Sequence, residues 1–391
     1  MFENAVADRM SLLHTESAFG VLARAKALEA QGKNIIHLEL GQPDFKTPQN
    51  IIDAAYRAMN DGFTGYSPTP GFPETRRAIA EYAARHKNIK TSENEVVITP
   101  GGKPIMFFTM LMLIDPGDEV VYPNPSFPIY ESCIKFAGGV PVPMKLSAEN
   151  DFKPDPDAFA KLLTPKTKLV LLNSPSNPTG GVLSREDITA VAEILKDRPD
   201  IFILSDEIYD RLIFEGEVFS IARLEGFKDR TIILDGFSKT YAMTGWRLGY
   251  GIMHPDLAKH TEMLMVNSNS CSASFSQIAA VEALTGPQDK ADMMREAFIK
   301  RRDILVGELN RIKGISCRLP KGAFYAFPDI SSFGISSDEF AARLLDEAGV
   351  AAVSGTAFGK YGEGYIRFSY AASTENIETA LERLGKFTET L

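Results

Sequence analysis

Six short runs of β-branched and aliphatic residues recur through the middle of the chain: EVVIT (95–99), DEVVY (118–122), KLVLLN (168–173), IFILSD (201–206), RTIILD (230–235) and LGYGIM (248–253). Helical stretches lie between them. Runs this apolar, separated by helices, predict parallel strands covered on both faces, an α/β architecture with a mostly parallel central sheet. The longest apolar run, IMFFTMLMLI (105–114), is shorter than the ~20 residues of a membrane span and predicts a helix buried on all sides. Helix starts fit the same parse: SRED (184–187) and SSDE (336–339) each place an acid three residues after a serine, the arrangement of a capping box.

After Gly286 the texture changes. A long charged helix, QDKADMMREAFIKRRDILVGELNRI, leads into SCRLPKGAFYAFPDI, then a helix with Phe340, Leu344 and Leu345 on one face, the strand-like GYIRFSYA, and a last helix from about Thr374. This is the pattern of a smaller α+β unit. The helix expected near residues 17–31 has no strand partner nearby and is expected to pack with it. The resulting division is a large domain over 48–288 and a small one assembled from 1–47 and 289–391. No repeat or Gly/Ser linker separates them.

Composition narrows the class without naming it. A chain of 391 residues with 44% hydrophobic and 24% charged residues can bury a large core. Its 42 basic and 51 acidic residues leave a net charge of −9, which offers no general attraction to nucleic acid or an anionic membrane. Three widely spaced cysteines, Cys133, Cys271 and Cys317, read as reduced thiols packed in the core of a cytoplasmic protein. The first twenty residues carry scattered charges and no apolar block, which speaks against a secretory leader. The five histidines show no ligand spacing, so no metal site is expected.

Ligands of open parallel sheets bind beyond the carboxyl ends of the strands. Those positions hold TPGGKP, PNPSFP, NSPSNPTG, SDEIYD and DGFSKT. Together they bring glycine-rich backbone, an asparagine, an aspartate three residues before a tyrosine, and a lysine preceded by serine to one sheet edge. Pyridoxal-phosphate chemistry needs this set: a lysine to form an imine with the cofactor aldehyde, a carboxylate to keep the pyridine nitrogen protonated, and donors for the phosphate. Lys239, Asp206 and the Gly101–Gly102 turn could supply them.

The stretch GFSKTYAMTGWRLG (236–249) resembles the lysine signature of class I and II aminotransferases, pyridoxal-phosphate enzymes of fold type I. GQPDF (41–45), GYSPTPGFPETRRAIA (65–80), SNPTG (176–180), SDEIY (205–209) and YIRFSY (365–370) match in order and spacing, so the resemblance covers nearly the whole chain. It implies that Lys239 is the Schiff-base lysine and the base that moves a proton at the substrate. Asp206 would pair with the pyridinium nitrogen, although SDEIYDRL could also begin a helix capped by that aspartate. Tyr209 and Asn177 would bond the cofactor's phenolic oxygen; read alone, they are a core aromatic and a turn residue.

Gly101 and Gly102, with Lys103 and Pro104 in the following first turn, would offer bare N–H groups to the phosphate. A plain strand-to-helix turn is the other reading. Ser238 and Arg247 would add a hydroxyl and a guanidinium. Tyr66 matches the family tyrosine that reaches the phosphate from the neighbouring subunit, which implies a homodimer with shared sites. Phe127 falls where the family stacks an aromatic ring on the pyridine. Arg367 and Gly41 would bind the substrate α-carboxylate, the arginine through a two-pronged contact, and their positions imply that the small domain closes over substrate. An exposed arginine on an alternating strand is the alternative for Arg367. Gly249 and Gly251 lack the rest of a dinucleotide fingerprint and read as close-packing residues, and Trp246 as structural.

The activity implied is transfer of an amino group between an L-amino acid and a 2-oxo acid. A carbon–sulfur β-lyase would keep the same lysine, aspartate and arginine, and a non-catalytic cofactor-binding module is a third reading. The side-chain pocket stays open: Lys103, the segment NSNSCSAS (267–274) and Phe19, Phe127 and Phe358 are candidates for its lining.

Overall fold

The computed structural model describes residues 6–13 and 17–391; the parts of the leader and domain readings that fall on 1–5 and 14–16 lie outside them. In chain order the strands are β1 (Ile36–His37), β2 (Val96–Thr99), β3 (Glu119–Asn124), β4 (Val140–Lys145), β5 (Thr167–Asn173), β6 (Phe202–Asp206), β7 (Thr231–Gly236), β8 (Gly249–Ile252), β9 (Tyr325–Ala326), β10 (Val350–Ala351), β11 (Val353–Ser354) and β12 (Ile366–Ser369).

β2 to β8 form one sheet in the order β2-β8-β7-β6-β5-β3-β4. Its three central strands are apolar and buried nearly throughout, and alternate residues serve opposite faces. Leu169 and Leu171 of β5 pack with Ile105, Met106, Phe108 and Met110 of the helix Lys103–Leu113. Val170 and Leu172 pack with Ile188, Val191 and Leu195 of the helix Arg185–Leu195 on the other side. Each such side chain contributes roughly 1.5–3 kcal/mol by leaving water. The helix 103–113 is nevertheless not buried all round: Leu111 is 39% exposed.

One strand departs from expectation. β8 runs antiparallel to both β2 and β7, whereas the other neighbouring pairs are parallel. The connection from β7 to β8 contains no α-helix, and a parallel crossover usually needs one. The chain therefore turns back on itself, so the start of β8 lies at the same edge as the ends of its neighbours. In register, Thr99 and Gly236 both face Gly249, Leu234 faces Asp206, and Asp206 faces Asn173.

Both anticipated helix starts are capped. Ser184 Oγ accepts from the Asp187 N–H at 3.2 Å while Asp187 Oδ2 accepts from the Ser184 N–H at 2.8 Å, and Ser336 Oγ accepts from the Glu339 N–H at 3.1 Å. The remaining strands come from both ends of the chain. β1 pairs in parallel with β10, and β12 lies between β11 and β9, antiparallel to each. The helix Ser17–Ala30 packs Ala25 against Leu345 and Ala351, and Ala18 in the cluster that holds Val121 and Val170.

Candidate active site

Asp206 ends β6 and is fully inside the protein. Its Oδ2 accepts a 2.6 Å hydrogen bond from Tyr130 Oη, and its Oδ1 accepts from the Ile208 N–H at 3.2 Å. Burial pushes its pKa up to about 6 despite those two donors. Such a carboxylate is short of positive charge and suited to a cationic N–H partner. Beside it, Asn173 Nδ2 donates to the Asp206 carbonyl at 3.2 Å and Asn173 Oδ1 accepts from the Asn177 N–H at 3.0 Å, so the ends of β5 and β6 hold one another.

Lys239 follows β7 in the turn that leads back to β8. Its Nζ donates to the Gly41 carbonyl at 2.6 Å and lies 5.8 Å from the Tyr209 ring and 5.7 Å from the Phe324 ring. Tyr209 is buried, with Oη 2.8 Å from Tyr325 Oη. Burial raises its pKa well above the ordinary phenol value, so the hydroxyl keeps its proton and can donate at neutral pH. Gly41 is bare for a steric reason: a Cβ there would sit 1.9 Å from Tyr325 Oη.

The glycine turn is shaped by close backbone and side-chain approach. Gly101 has φ +84°, and a Cβ on it would lie 2.3 Å from Arg247 Nη2. Arg247, itself left-handed at φ 54°, donates from Nη1 to the Thr244 carbonyl at 2.8 Å and is otherwise exposed. Gly249 closes the cradle: a Cβ there would come within 2.5 Å of Gly101 C and Gly102 N. Ser238, next to Lys239 in sequence, is buried. Lys103 begins the helix after the turn, with Nζ 5.4 Å from the ring of Phe127, which meets Tyr130 edge-on at 5.7 Å.

Arg367 is only 3% exposed. Nη1 donates to Asn177 Oδ1 at 3.0 Å, Nη2 donates to the Glu39 carbonyl, and the guanidinium lies 4.5 Å from the Tyr325 ring and 4.8 Å from the Phe358 ring. Its Nε has no partner among the described residues. A buried cation without a carboxylate, with a donor left over, is arranged for an anion that arrives.

The structure thus brings together Gly41 with Lys239 and Asn177 with Arg367 by hydrogen bonds, links Tyr209 to Gly41 and Arg367 through Tyr325 and Asp206 to Asn177 through Asn173, and places Gly101, Gly102 and Arg247 along the same sheet edge. Phe127 and Lys103 flank them. Tyr66 stands apart, 92% exposed, and Phe19 is also exposed. Trp246 Nε1 donates to Thr47 Oγ1 at 2.9 Å, a structural bond. Cys133 and Cys317 are buried, but Cys271 is half-buried rather than in the core.

Two contributors escaped the sequence reading, Tyr130 and Tyr325. Each sits in an apolar context that reads as core; the only signal was a phenol at a buried position, whose hydroxyl needs a partner.

The chain matches the family model of aminotransferase class I and II over residues 33–384. It belongs to that family. This aminotransferase is 40% identical over 389 residues to an aspartate aminotransferase of Bacillus sp. (strain YM-2), covering 98% of both chains. It is also 40% identical over 394 residues to an aspartate/prephenate aminotransferase of Cereibacter sphaeroides, again covering 98% of each. Among solved structures it is similar to the aspartate aminotransferase of Thermus thermophilus with maleate, at a TM-score of 0.94 and 37% identity over 98% of this chain and 99% of that one. It is similar too to the aromatic aminotransferase of Pyrococcus horikoshii, at a TM-score of 0.91 and 35% identity over 98% of both. The aminotransferase therefore has the fold type I architecture, and its substrates are small amino and oxo acids.

Proposed function

We propose that this aminotransferase uses pyridoxal 5′-phosphate bound at the sheet edge, with an acidic L-amino acid as donor. The observation that carries the reading is the convergence at one sheet edge of Lys239, held by the Gly41 carbonyl, the buried Asp206 and Arg367 with its spare Nε donor. The residues fit the cofactor: Gly101 lies bare against Arg247, whose guanidinium a Cβ there would meet at 2.3 Å, and Asp206 is a buried carboxylate whose hydrogen-bond donors among the described residues, Tyr130 and the Ile208 N–H, are both neutral. When bound, the cofactor supplies an electron-withdrawing ring conjugated to the substrate nitrogen.

Each residue then has a role. Gly101, Gly102, Ser238 and Arg247 would hold the phosphate, Phe127 would pack on the ring, and Asp206 would keep the ring nitrogen protonated. Tyr209 and Asn177 would bond the phenolic oxygen. Arg367, assisted by the backbone at Gly41, binds and orients the α-carboxylate. Lys239 Nζ, freed when the amino acid arrives, would take the proton from the substrate Cα and hold it for return.

The names of the relatives support an acidic donor, and Lys103, next to the cradle, offers a cation for a distal carboxylate. A homodimer is proposed in which Tyr66 reaches the partner's phosphate. A unit made of 1–47 and 289–391 closes over 48–288, and a cytoplasmic setting suits the half-buried thiol of Cys271.

The test is an absorbance spectrum of the purified protein with a panel of L-amino acids and no oxo acid, for wild type and Lys239→Ala. Conversion of the lysine-linked band to that of the amino form, strongest with aspartate and glutamate and absent in the variant, is expected. Release of pyruvate and ammonia without conversion would replace transamination by β-elimination.

A further inference from the structure

Behind the proposed cofactor edge lies a set of charges that the reaction leaves unused. Lys87, at the end of the π-helical turn Ala83–Lys87, is 0% exposed. Its Nζ lies 2.6 Å from Asp210 Oδ2 and 3.0 Å from both Glu207 Oε2 and Asp235 Oδ2. Glu207 and Asp210 alternate along the chain with Asp206 and Tyr209, and Asp235 lies just upstream of Ser238 and Lys239. One ammonium therefore ties the turn after β6 to the end of β7, the two segments that present Asp206 and Lys239.

Hydroxyls and backbone complete the shell. Tyr82 Oη donates to Asp210 Oδ2 at 3.2 Å, Tyr250 Oη to Asp235 Oδ2 at 2.9 Å, Ser205 Oγ to Glu207 Oε1 at 2.8 Å, and the Gly236 N–H to Asp235 Oδ1 at 2.7 Å. Of the other titratable groups facing the cluster, His86 lies against Tyr82 with ring centroids 4.5 Å apart, Tyr241 donates to Gln288 at 3.1 Å, and Arg211 is bound to Asp292 at 2.9 Å. Among the described residues no second cation pairs with the three carboxylates. Burial, followed by Asp210, pushes Asp235 up to about 7. Burial also disfavours the charge on Lys87, but the carboxylates outweigh it and hold that pKa well above the ordinary value.

An unbalanced buried carboxylate costs several kcal/mol unless something offsets it. Among the described residues the cluster has no hydrogen bond or ion pair to those assigned to bind substrate, so its effect on the reaction would be through its field and through the segments it ties together. We propose that Lys87, Glu207, Asp210 and Asp235 form a positioning cluster whose surplus negative charge favours the protonated ring nitrogen beside Asp206 and the protonated lysine–cofactor linkage at Lys239. None of the four is a catalytic residue.

This inference rests on the cofactor reading, and its test separates the two. The measurement is the pH midpoint of the absorbance change of the lysine-linked cofactor, together with the cofactor dissociation constant and the thermal midpoint, for the cofactor-loaded full chain. Glu207→Gln and Asp210→Asn each remove one charge and keep the shape; both should lower the pH midpoint by about half a pH unit and leave heat stability equal or higher. Tyr82→Phe removes a hydrogen bond but no charge, and should leave the pH midpoint in place. Unmoved midpoints in the two carboxamide variants, an equal shift in Tyr82→Phe, or a clear loss of stability in the carboxamides would each overturn the proposal. No lysine-linked band in any protein would instead mean that the cofactor reading had failed.

Discussion

Gly41 shows how finely the candidate site is built at the scale of single residues. A methyl group there would overlap Tyr325 Oη, which touches Tyr209, while the Gly41 carbonyl accepts from Lys239. Gly41→Ala should therefore push Tyr325 aside, and a drop of at least tenfold in kcat/KM with little change in thermal midpoint is the expected outcome, read by steady-state kinetics and calorimetry. Arg367→Lys keeps the charge but loses the planar fork that spans Asn177 and Glu39. It should cost about 3 kcal/mol of transition-state binding, roughly a hundredfold in kcat/KM, with cofactor affinity retained in a spectroscopic titration. Lys239, Asp206 and Arg367 were legible in the sequence because each breaks an apolar run at a strand end or stands in a signature motif. Tyr325 was not, because AFYAF presents a tyrosine among phenylalanines and only the folded chain reveals what its hydroxyl meets.

Among the elements, β1 carries a pH-sensitive contact. Burial lowers the pKa of His37, but Glu39 at 2.7 Å from Nδ1 and Glu29 at 3.1 Å from Nε2 outweigh it and raise the value above 6.5. A folded-state pKa above the unfolded one means stability that is fully present below about pH 6.5 and lost as pH rises through the folded value. Urea midpoints of wild type should fall between pH 6 and pH 8 relative to those of His37→Gln, and parallel curves for the two proteins would refute the assignment. The two-residue strands β1, β10 and β11 were too short to leave a run, and the strands of the large sheet were readable from their apolar runs with the exception of β4. Its sequence VPVPMK alternates proline, which cannot donate to a ladder, and such a strand survives only at an edge, where the sheet order puts it. The reversed direction of β8 was equally hidden, since a strand's run of side chains carries no sign of its polarity; the short connection carried it.

For the whole molecule the decisive question is whether Tyr66, so exposed in one chain, completes a neighbour's site. Lys239→Ala and Tyr66→Ala should each be nearly inactive alone. Refolded together in equal amounts they should regain about a quarter of wild-type activity, because half the dimers are mixed and each of those holds one intact site. Absence of recovery, with mixed dimers demonstrated by mass spectrometry, would show that each chain works by itself.

The place of β8 has a consequence for how the protein is made. β8 is inserted between β2 and β7, so β2 pairs only with a segment about 150 residues later in the chain. During synthesis at roughly 5–20 residues per second, the strand leading to the glycine turn must wait some ten seconds or more, its edge uncovered, before Ile252 emerges and Arg247 can meet Gly101. Until then the proposed phosphate cradle is incomplete on the nascent chain, and capture of the proposed cofactor would follow closure of the sheet.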